Sequence, residues 1–300
     1  MKFMSFVYDG EAGYGVFDEQ NKKIWHLRQL EKKFTGKSLL PSTLTEAIAM
    51  GNEFISIAKK LIQQAKENNV EIHSLDLQVV ELLAPIPRPT KNIVCVGKNY
   101  REHAIELGSE ADIPEHLMVF TKAPTSIIGH KQQVSLHQDI TKALDYEGEL
   151  VLIIGKKGKN IKEENALSHV FGYTIMNDIT ARDLQMRHKQ FFIGKSLDTS
   201  CPMGPWIVHH SAIAKPDQLD IVTKVNGEIR QQSNTKHFIF SIEHIISTLS
   251  QGMTLEPGDI IATGTPAGVG QGFEPPKYLK AGDTVEITIQ DIGTLTNTIV

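Results

Sequence analysis

The sequence predicts an α+β protein in which a small α+β domain precedes a larger mixed β-roll or β-barrel. The chain has 300 residues, whereas one domain typically has about 150. A proline-rich stretch at residues 84–89 interrupts the chain and favours an extended connection. After that stretch, short apolar runs are frequent and crossover helices are few, unlike the pattern of a parallel nucleotide-binding sheet. We therefore expect one domain over residues 1–88 and a second over residues 89–300.

The first domain shows local signals for a hairpin and two helices. Two apolar stretches within residues 3–17 flank the turn residues Asp9 and Gly10, as in a β-hairpin. Thr43 and Glu46 have the spacing of a capping box, which predicts a helix start there. Apolar residues then recur at helical spacing, with a break expected at Gly51. This domain shows no cluster of chemically reactive residues.

The second domain is rich in predicted strands. Residues 93–96 form a β-branched run that ends at Gly97, and residues 150–154 form another. Near the C-terminus, apolar and polar residues alternate over 285–289, and a turn at Gly293 leads into residues 295–300. Strands of such uneven length favour a mixed β-roll or β-barrel.

Composition and charge restrict the function and the compartment. The 31 Lys and Arg residues against 35 Asp and Glu residues give a net charge of −4, which does not favour nucleic-acid binding or a polybasic membrane surface. No segment approaches the ~20 apolar residues of a membrane helix. Cys95 and Cys201 lie far apart and outside any C-x-x-C motif, which argues against disulfides and a thiolate zinc site. We expect a cytoplasmic protein without membrane insertion or a nucleic-acid partner.

Acidic residues cluster beside two predicted strands. Glu147 and Glu149 precede the apolar run 150–154, and residues two apart on a strand share a face, where Asp145 could join them. An exposed acidic edge would also explain an isolated E-x-E. However, a second acidic segment, residues 176–183, follows another apolar strand and offers a third ligand. Three carboxylates without Cys or clustered His suit Mg²⁺ or Mn²⁺ better than zinc.

A second pair of chemically competent residues lies at helical spacing. His103 and Glu106 are three residues apart, so on a helix their side chains would be neighbours. A carboxylate beside an imidazole raises its basicity and fixes its tautomer. A surface helix with an incidental ion pair is the alternative. The small polar residues 108–112 that follow suggest a mobile lid.

Five motifs after the proline-rich stretch together resemble the fumarylacetoacetate hydrolase family. They occur in the order found in that family and cover nearly all of the chain from Ile93 onward. The motifs are Gly97-Lys98-Asn99-Tyr100 with His103 and Glu106; Glu147 and Glu149; Asn177-Asp178 with Thr180-Ala181-Arg182-Asp183; Gly194-Lys195-Ser196-Leu197-Asp198; and Thr263-Gly264-Thr265-Pro266 with Gly268. Each is weak alone, but five in order are specific.

The resemblance implies a fold and a set of site residues. It implies a mixed β-roll of the C-terminal type of that family, a homodimer, and a Mg²⁺ or Mn²⁺ site formed by Glu147, Glu149 and Asp178. Within the family, the sequence is most similar to the acylpyruvase and oxaloacetate decarboxylase enzymes. The resemblance gives catalytic roles to a histidine–glutamate pair and to a lysine that holds a substrate oxyanion or carboxylate, and it suggests substrate contacts. The catalytic residues would be His103, Glu106 and Lys195, and the substrate contacts Arg182, Gln185, Thr265 and Lys122.

Three functional hypotheses follow. The first is metal-dependent cleavage of a carbon–carbon bond in a small anionic keto acid, either oxaloacetate decarboxylation or acylpyruvate hydrolysis, both of which form a pyruvate enolate. The second is isomerisation or decarboxylation of a dienedioate, or fumarylpyruvate hydrolysis, in aromatic catabolism. The third is a partner-binding protein with a vestigial metal site. Arg182 is as well explained by a structural ion pair as by a substrate contact.

Overall fold

The structure is a computed structural model that describes residues 1–68 and 74–300. The strands of these residues are β1 Lys2–Tyr8, β2 Glu11–Asp18, β3 Lys23–His26, β4 Ser74–Asp76, β5 Glu81–Leu82, β6 Ile93–Gly97, β7 Met118–Lys122, β8 Ile127–Ile128, β9 Gln133–Val134, β10 Leu144–Asp145, β11 Gly148–Ile154, β12 Val170–Asn177, β13 Thr180–Ala181, β14 Cys201–His209, β15 Asp220–Val225, β16 Glu228–Asn234, β17 Ile260–Ala262, β18 Thr284–Ile289 and β19 Gly293–Ile299. The α-helices are α1 Leu27–Thr35, α2 Leu44–Ala49, α3 Asn52–Glu67, α4 Arg101–Glu106, α5 Glu163–Ala166, α6 Arg182–His188, α7 Phe192–Lys195 and α8 Ile242–Ser250.

The local predictions for the first 67 residues are confirmed. β1 and β2 pair as an antiparallel hairpin, with Tyr8 opposite Glu11. The side chain of Thr43 caps α2 by accepting the backbone N–H of Glu46, and the Glu46 side chain accepts the backbone N–H of Thr43 in return. Gly51, at φ +60°, separates α2 from α3 as expected, because this conformation interrupts a helix.

One large sheet extends through most of the described chain. Its strands lie in the order β4-β3-β2-β1-β14-β12-β11-β17-β6-β7, with β5 added to β1 and β8 added to β14. β1 pairs with β14 through Lys2 and Phe3 opposite Val208 and Ile207. The sheet therefore crosses the boundary predicted at residue 88, and the strands of residues 1–88 continue the sheet of the second region.

A second sheet packs against the first. It has the order β16-β15-β18-β19-β9, and β10 and β13 form a separate two-stranded ladder. The predicted alternation at the C-terminus is confirmed, because β18 and β19 pair from Thr284 opposite Thr298 to Ile289 opposite Gly293. These sheets and the eight α-helices of residues 1–68 and 74–300 give the α+β class predicted from the sequence.

β11 shows how the large sheet divides the core. All seven of its residues are buried, and successive side chains of a strand point to opposite faces. Leu150 and Leu152 join an apolar cluster with Ile221 and Ile287 of the second sheet. Residues Val151 and Ile153, on the other face, join a cluster that includes residues of α1, α2 and α3. The helices of the first 67 residues therefore cover one face of the sheet that carries the site.

The site lies where β11 and β12 meet. These strands are antiparallel, with Gly148 opposite Asn177, so the start of β11 and the end of β12 lie side by side. Within the described residues, no helix is both long enough and apolar enough to cross a membrane.

Candidate metal centre and active-site cavity

Three buried carboxylates meet at the junction of β11 and β12. Glu147 directly precedes β11, Glu149 lies on it, and Asp178 directly follows β12. The backbone N–H of Asp178 donates to the carbonyl oxygen of Glu147 at 2.8 Å, which locks the two segments together. One oxygen of each carboxylate lies within 4.8 Å of the others, and all three residues are at most 4% exposed. The structure brings the residues predicted as metal ligands into one cluster.

Asp145 does not belong to this cluster of three. Its carboxylate accepts the Nε–H of Arg182 at 2.8 Å and the backbone N–H groups of Gly270 and Gln271 at 2.6 and 2.9 Å. The expectation that it could share the face of Glu147 and Glu149 is wrong, because β10 and β11 are separate strands. Asp145 instead anchors an arginine and a glycine-rich turn.

Two lysines and an arginine surround the carboxylates. Lys195 Nζ lies 2.7 Å from both Glu147 Oε2 and Asp178 Oδ2. The other Asp178 oxygen lies 2.8 Å from Lys122 Nζ, and Arg182 Nη2 lies 2.7 Å from Glu147 Oε1. All three cationic residues are at most 3% exposed. The arrangement fixes the carboxylates in place, since each ion pair is excluded from water.

The charges in this cluster do not balance. Four buried carboxylates, those of the three clustered residues and Asp145, face three cations, which leaves one negative charge in excess. Among the ion pairs of the described residues, each of the other three carboxylates contacts a cation, and Glu149 does not. Burial and the charges of Asp178 and Glu147 raise the pKa of Glu149 well above its usual range. Its one hydrogen bond with a backbone donor in the described residues comes from the N–H of Gly264 at 2.9 Å.

Glu147 behaves in the opposite way, although it lies two residues from Glu149. Burial alone would raise its pKa, but the charges of Lys195 and Arg182 hold it well below its usual range. In turn, the carboxylates of Asp178 and Glu147 raise the pKa of Lys195, against the effect of its burial. The pKa values of these two carboxylates therefore shift in opposite directions, because their cationic neighbours differ.

The cluster fits a divalent cation. The donors are carboxylate oxygens, as Mg²⁺ and Mn²⁺ prefer, and a +2 ion would turn the excess negative charge into one positive charge. Glu147, Glu149 and Asp178 would hold the ion. Such an ion would offset the repulsion among the buried carboxylates, which together with burial raises the pKa of Glu149.

The predicted histidine–glutamate pair is formed. Both residues lie on α4, and His103 Nδ1 is 3.1 Å from Glu106 Oε2. The other oxygen of Glu106 accepts the backbone N–H of Gly268 at 2.8 Å. This contact fixes the carboxylate that orients the imidazole, and it leaves His103 Nε2 as the nitrogen for proton exchange.

A cavity of about 340 Å³ connects the pair with the carboxylates. Apart from Lys122 and Asp178, which lie behind it, every residue that the sequence analysis assigned to the site lines its wall. These lining residues are His103, Glu106, Glu147, Glu149, Arg182, Gln185, Lys195 and Thr265, and the wall also includes Lys98, Met118, Phe120, Phe191 and Gln271.

The residues predicted to contact the substrate differ in whether they line the cavity. Gln185 Oε1 accepts from Arg182 Nη1 at 3.2 Å, and Thr265 Oγ1 accepts from Gln231 Nε2 at 2.7 Å. Arg182 lines the cavity while forming the structural ion pairs that were its alternative explanation. Lys122 is fully buried behind Asp178 and also donates to the carbonyl oxygen of Ile179 at 3.0 Å. This position makes Lys122 a support for Asp178, because its ammonium group does not reach the cavity wall.

Residues 268–272 and Cys201 have structural roles near the site. The glycine-rich residues 268–272 form a turn whose N–H groups hold Glu106 and Asp145. Burial raises the pKa of the Cys201 thiol to about 12, and its Sγ lies 3.2 Å from the Met176 sulfur. Such a thiol is a poor nucleophile.

Gln231 was missed by the sequence analysis. This fully buried residue on β16 accepts the backbone N–H of Gly148 at 3.0 Å and donates to Thr265 Oγ1 and to the carbonyl oxygen of Pro266. It thus connects the start of β11 to the loop after β17. The sequence offers no local signal for this role, since Gln231 lies in an ordinary polar stretch.

Comparisons with known proteins identify relatives of this chain. Residues 92–300 match the family model "Fumarylacetoacetate (FAA) hydrolase C-terminal". The chain is 58% identical over 281 residues, 93% of each chain, to the oxaloacetate tautomerase YisK of Bacillus subtilis. A fumarylacetoacetate hydrolase from Exiguobacterium antarcticum superposes with a TM-score of 0.81 at 42% identity, covering 100% of this chain and 99% of the other. A 2-hydroxyhepta-2,4-diene-1,7-dioate isomerase from Mycobacterium marinum superposes with a TM-score of 0.72 at 30% identity, covering 100% and 98%.

Proposed function

The chain belongs to the fumarylacetoacetate hydrolase family, and from that premise we propose that it is a Mg²⁺- or Mn²⁺-dependent enzyme that interconverts the enol and keto forms of oxaloacetate. The observation that carries the proposal is the buried triad of Glu147, Glu149 and Asp178 facing the His103–Glu106 pair across one small cavity. The likeness to the Bacillus subtilis oxaloacetate tautomerase supports the choice of substrate.

Tautomerisation requires removal of a proton from the C2 oxygen and addition of a proton at C3. His103 is suited to carry this proton, because its Nδ1 faces Glu106 and its ring lines the cavity. The neutral imidazole accepts the proton from the C2 oxygen, and the imidazolium delivers it to C3. Glu106 stabilises the imidazolium that forms whenever His103 holds the proton. Because Glu106 is itself fixed by Gly268 N–H, the imidazole keeps one orientation through the cycle.

Negative charge on the substrate is stabilised by groups on the cavity wall. Lys195 lines the cavity and keeps its proton, since the neighbouring carboxylates raise its pKa. When bound, a divalent cation supplies Lewis-acid stabilisation of negative charge on the substrate's oxygens. The aromatic rings of Phe120 and Phe191 on the same wall restrict water, which strengthens these electrostatic interactions.

Decarboxylation of oxaloacetate is the second candidate. Loss of CO₂ from C4 leaves the same kind of enolate, which Lys195 would stabilise without an activated water. The observation that favours it is the concentration of Lys195 and Arg182 beside the carboxylates on the cavity wall. This reaction needs His103 only to deliver a proton to the enolate.

The test is an assay of the purified, metal-replete protein with oxaloacetate. We expect loss of the ultraviolet absorbance of the enol faster than in buffer, and pyruvate release followed in parallel reports decarboxylation. Dialysis against EDTA should abolish the acceleration, and Mg²⁺ or Mn²⁺ should restore it. Glu149→Gln should reduce turnover by about a hundredfold or more, whereas Glu164→Gln, the same substitution at an exposed site, should not.

Three outcomes would contradict the proposal. Full activity after EDTA dialysis would exclude the metal requirement. Turnover of acetylpyruvate, fumarylpyruvate or a dienedioate with a much higher kcat/KM than oxaloacetate would move the assignment to hydrolysis or to the dienedioate reactions. A protein that turns over none of these keto acids would favour the partner-binding hypothesis.

A further inference from the structure

Lys98 is a cation on the cavity wall whose charge is only loosely paired. The described residues of the wall include three side chains with a full positive charge, Lys98, Arg182 and Lys195. The last two are almost fully buried and lie 2.7–2.8 Å from their carboxylate partners. Lys98 is different, because its side chain is 23% exposed and its partner, Asp112, is 3.4 Å away and 44% exposed. An ion pair this long and this exposed is weak.

The backbone holds Lys98 in a fixed position on the wall of the cavity that Glu147 and Glu149 also line. It follows β6, which pairs with β17, and β17 leads to Gly264, whose N–H holds Glu149. The next residue, Asn99, donates to the carbonyl oxygen of Thr263 at 2.8 Å. A Cβ added at Gly264 would lie 2.8 Å from Cβ of Asn99, so the two loops are in close contact.

The conformation of Lys98 is also unusual. Its φ of +53° lies in the left-handed region, which residues other than glycine seldom adopt. Such a conformation is kept only where the surrounding structure imposes it, and it is concentrated at binding sites. Here it lies at the turn between β6 and α4, the helix that carries His103 and Glu106.

From these observations we infer that Lys98 binds the substrate carboxylate that lies farther from the triad of Glu147, Glu149 and Asp178. Lys98 would thereby select keto acids with two carboxylates. The inference rests on the proposed function and deepens it. Arg182 and Lys195 face the substrate while keeping their buried carboxylate partners, whereas Lys98 can exchange Asp112 for a substrate carboxylate. Asp112 stays satisfied after the exchange, since it also accepts from the backbone N–H and hydroxyl of Ser109 at 2.9 and 3.0 Å.

The experiment compares how the protein binds the two ends of the substrate. KM and kcat for oxaloacetate are measured with Lys98→Gln, and the inhibition constant of oxalate is measured alongside. Oxalate mimics only the end of the substrate that would face the carboxylate triad and its metal ion. We expect Lys98→Gln to raise KM for oxaloacetate roughly tenfold to a hundredfold, the value of one charge-assisted hydrogen bond, with kcat and oxalate inhibition nearly unchanged. Lys98→Arg should keep KM near the wild-type value.

Two further variants separate binding from structural support. Asp112→Asn keeps an acceptor for Ser109 but removes the competing charge, so it should lower KM or leave it unchanged. Arg101→Gln removes a positive charge from the same exposed segment, where Arg101 pairs with Glu110 at 2.8 Å outside the cavity. It should match the wild type in KM and kcat.

Three results would overturn the inference. An unchanged KM in Lys98→Gln would show that Lys98 does not contact the substrate. Equal weakening of oxalate, or a rise in KM in Asp112→Asn as large as in Lys98→Gln, would show that the Lys98–Asp112 pair only supports the cavity wall. If the wild-type protein turns over no oxaloacetate at all, the proposed function fails first and this inference with it.

Discussion

Glu31, in the first 88 residues, and Glu149, in the region after them, are both almost fully buried, but their surroundings differ. The Oε2 atom of Glu31 accepts the backbone N–H groups of Leu39 and Leu40 at 2.8 and 2.9 Å. Glu149 has one such backbone donor, Gly264, and faces the negative charges of Glu147 and Asp178. The first carboxylate closes a loop after a helix, whereas the second belongs to a group that is incomplete without further positive charge.

This difference shows which buried charges indicate function. Burial alone does not, because an isolated carboxylate with its own backbone donors is a structural element. Crowding of like charges beside a cavity does, because repulsion between buried carboxylates is retained only where something else relieves it. The triad of Glu147, Glu149 and Asp178 meets this condition.

The two regions are nevertheless joined in one structure. Phe3 and the residues of α1–α3 pack on the face of the large sheet that carries Val151 and Ile153. The site therefore depends on the first region for the support of its strands, although no residue before 88 that the structure describes lines the cavity.

The largest effect should come from separating the regions. A chain that begins at residue 89 would expose Val151 and Ile153 and would lack β1, whose residues Lys2 and Phe3 pair with β14. We expect this fragment to lack a cooperative thermal transition and to bind a hydrophobic dye, because its core is no longer covered. A fragment that folds and is active would show instead that residues 1–88 and 89–300 are independent domains, as the sequence predicts.

Within the second region, His103→Ala tests the pair on α4. We expect kcat for tautomerisation to fall about 10²- to 10⁴-fold, because a general acid–base group is lost, with the melting temperature little changed. Acylpyruvate hydrolysis should suffer more than decarboxylation, which needs no activated water. Equal losses in both reactions would show that His103 does not act as a hydrolytic base.

Glu31→Ala makes the opposite test in the first region. Removing its carboxylate leaves the N–H groups of Leu39 and Leu40 without their acceptor, which should lower the free energy of unfolding by about 1–3 kcal/mol. The urea midpoint measures this loss, and KM and kcat should stay at their wild-type values. A change in kcat would mean that this loop communicates with the cavity.

Glu149→Gln should sharpen the comparison through its dependence on pH. Burial and the charges of Asp178 and Glu147 raise the pKa of Glu149 in the folded state. Metal-free wild-type protein therefore loses stability as pH rises from the unfolded value of about 4.3 through that raised pKa. The variant lacks this loss, so at pH values well above that window its metal-free form should melt a few degrees higher than the wild type. Below the window the two proteins should melt alike. Saturating Mg²⁺ should remove this difference in melting temperature, because the ion stabilises the wild type more than the variant.

Patterns between residues close in sequence determined several elements of the fold and the histidine–glutamate pair of the site. The hairpin of residues 3–17, the capping box of Thr43 and Glu46, and the alternating strand at 285–289 depend on interactions within a few residues, and the structure contains all of them. The His103–Glu106 pair has the same origin, because spacing on one helix already makes these side chains neighbours.

Only the tertiary structure decided which distant residues share the cavity. The pairing of β1 with β14, the ion pair between Asp145 and Arg182, and the placement of Lys122 behind Asp178 join segments that are far apart in the chain. Residue type does not identify such partners, since any buried carboxylate can form an ion pair with any nearby cationic side chain. The partner is selected by the register of the strands and the packing of the two cores, which are properties of the whole chain.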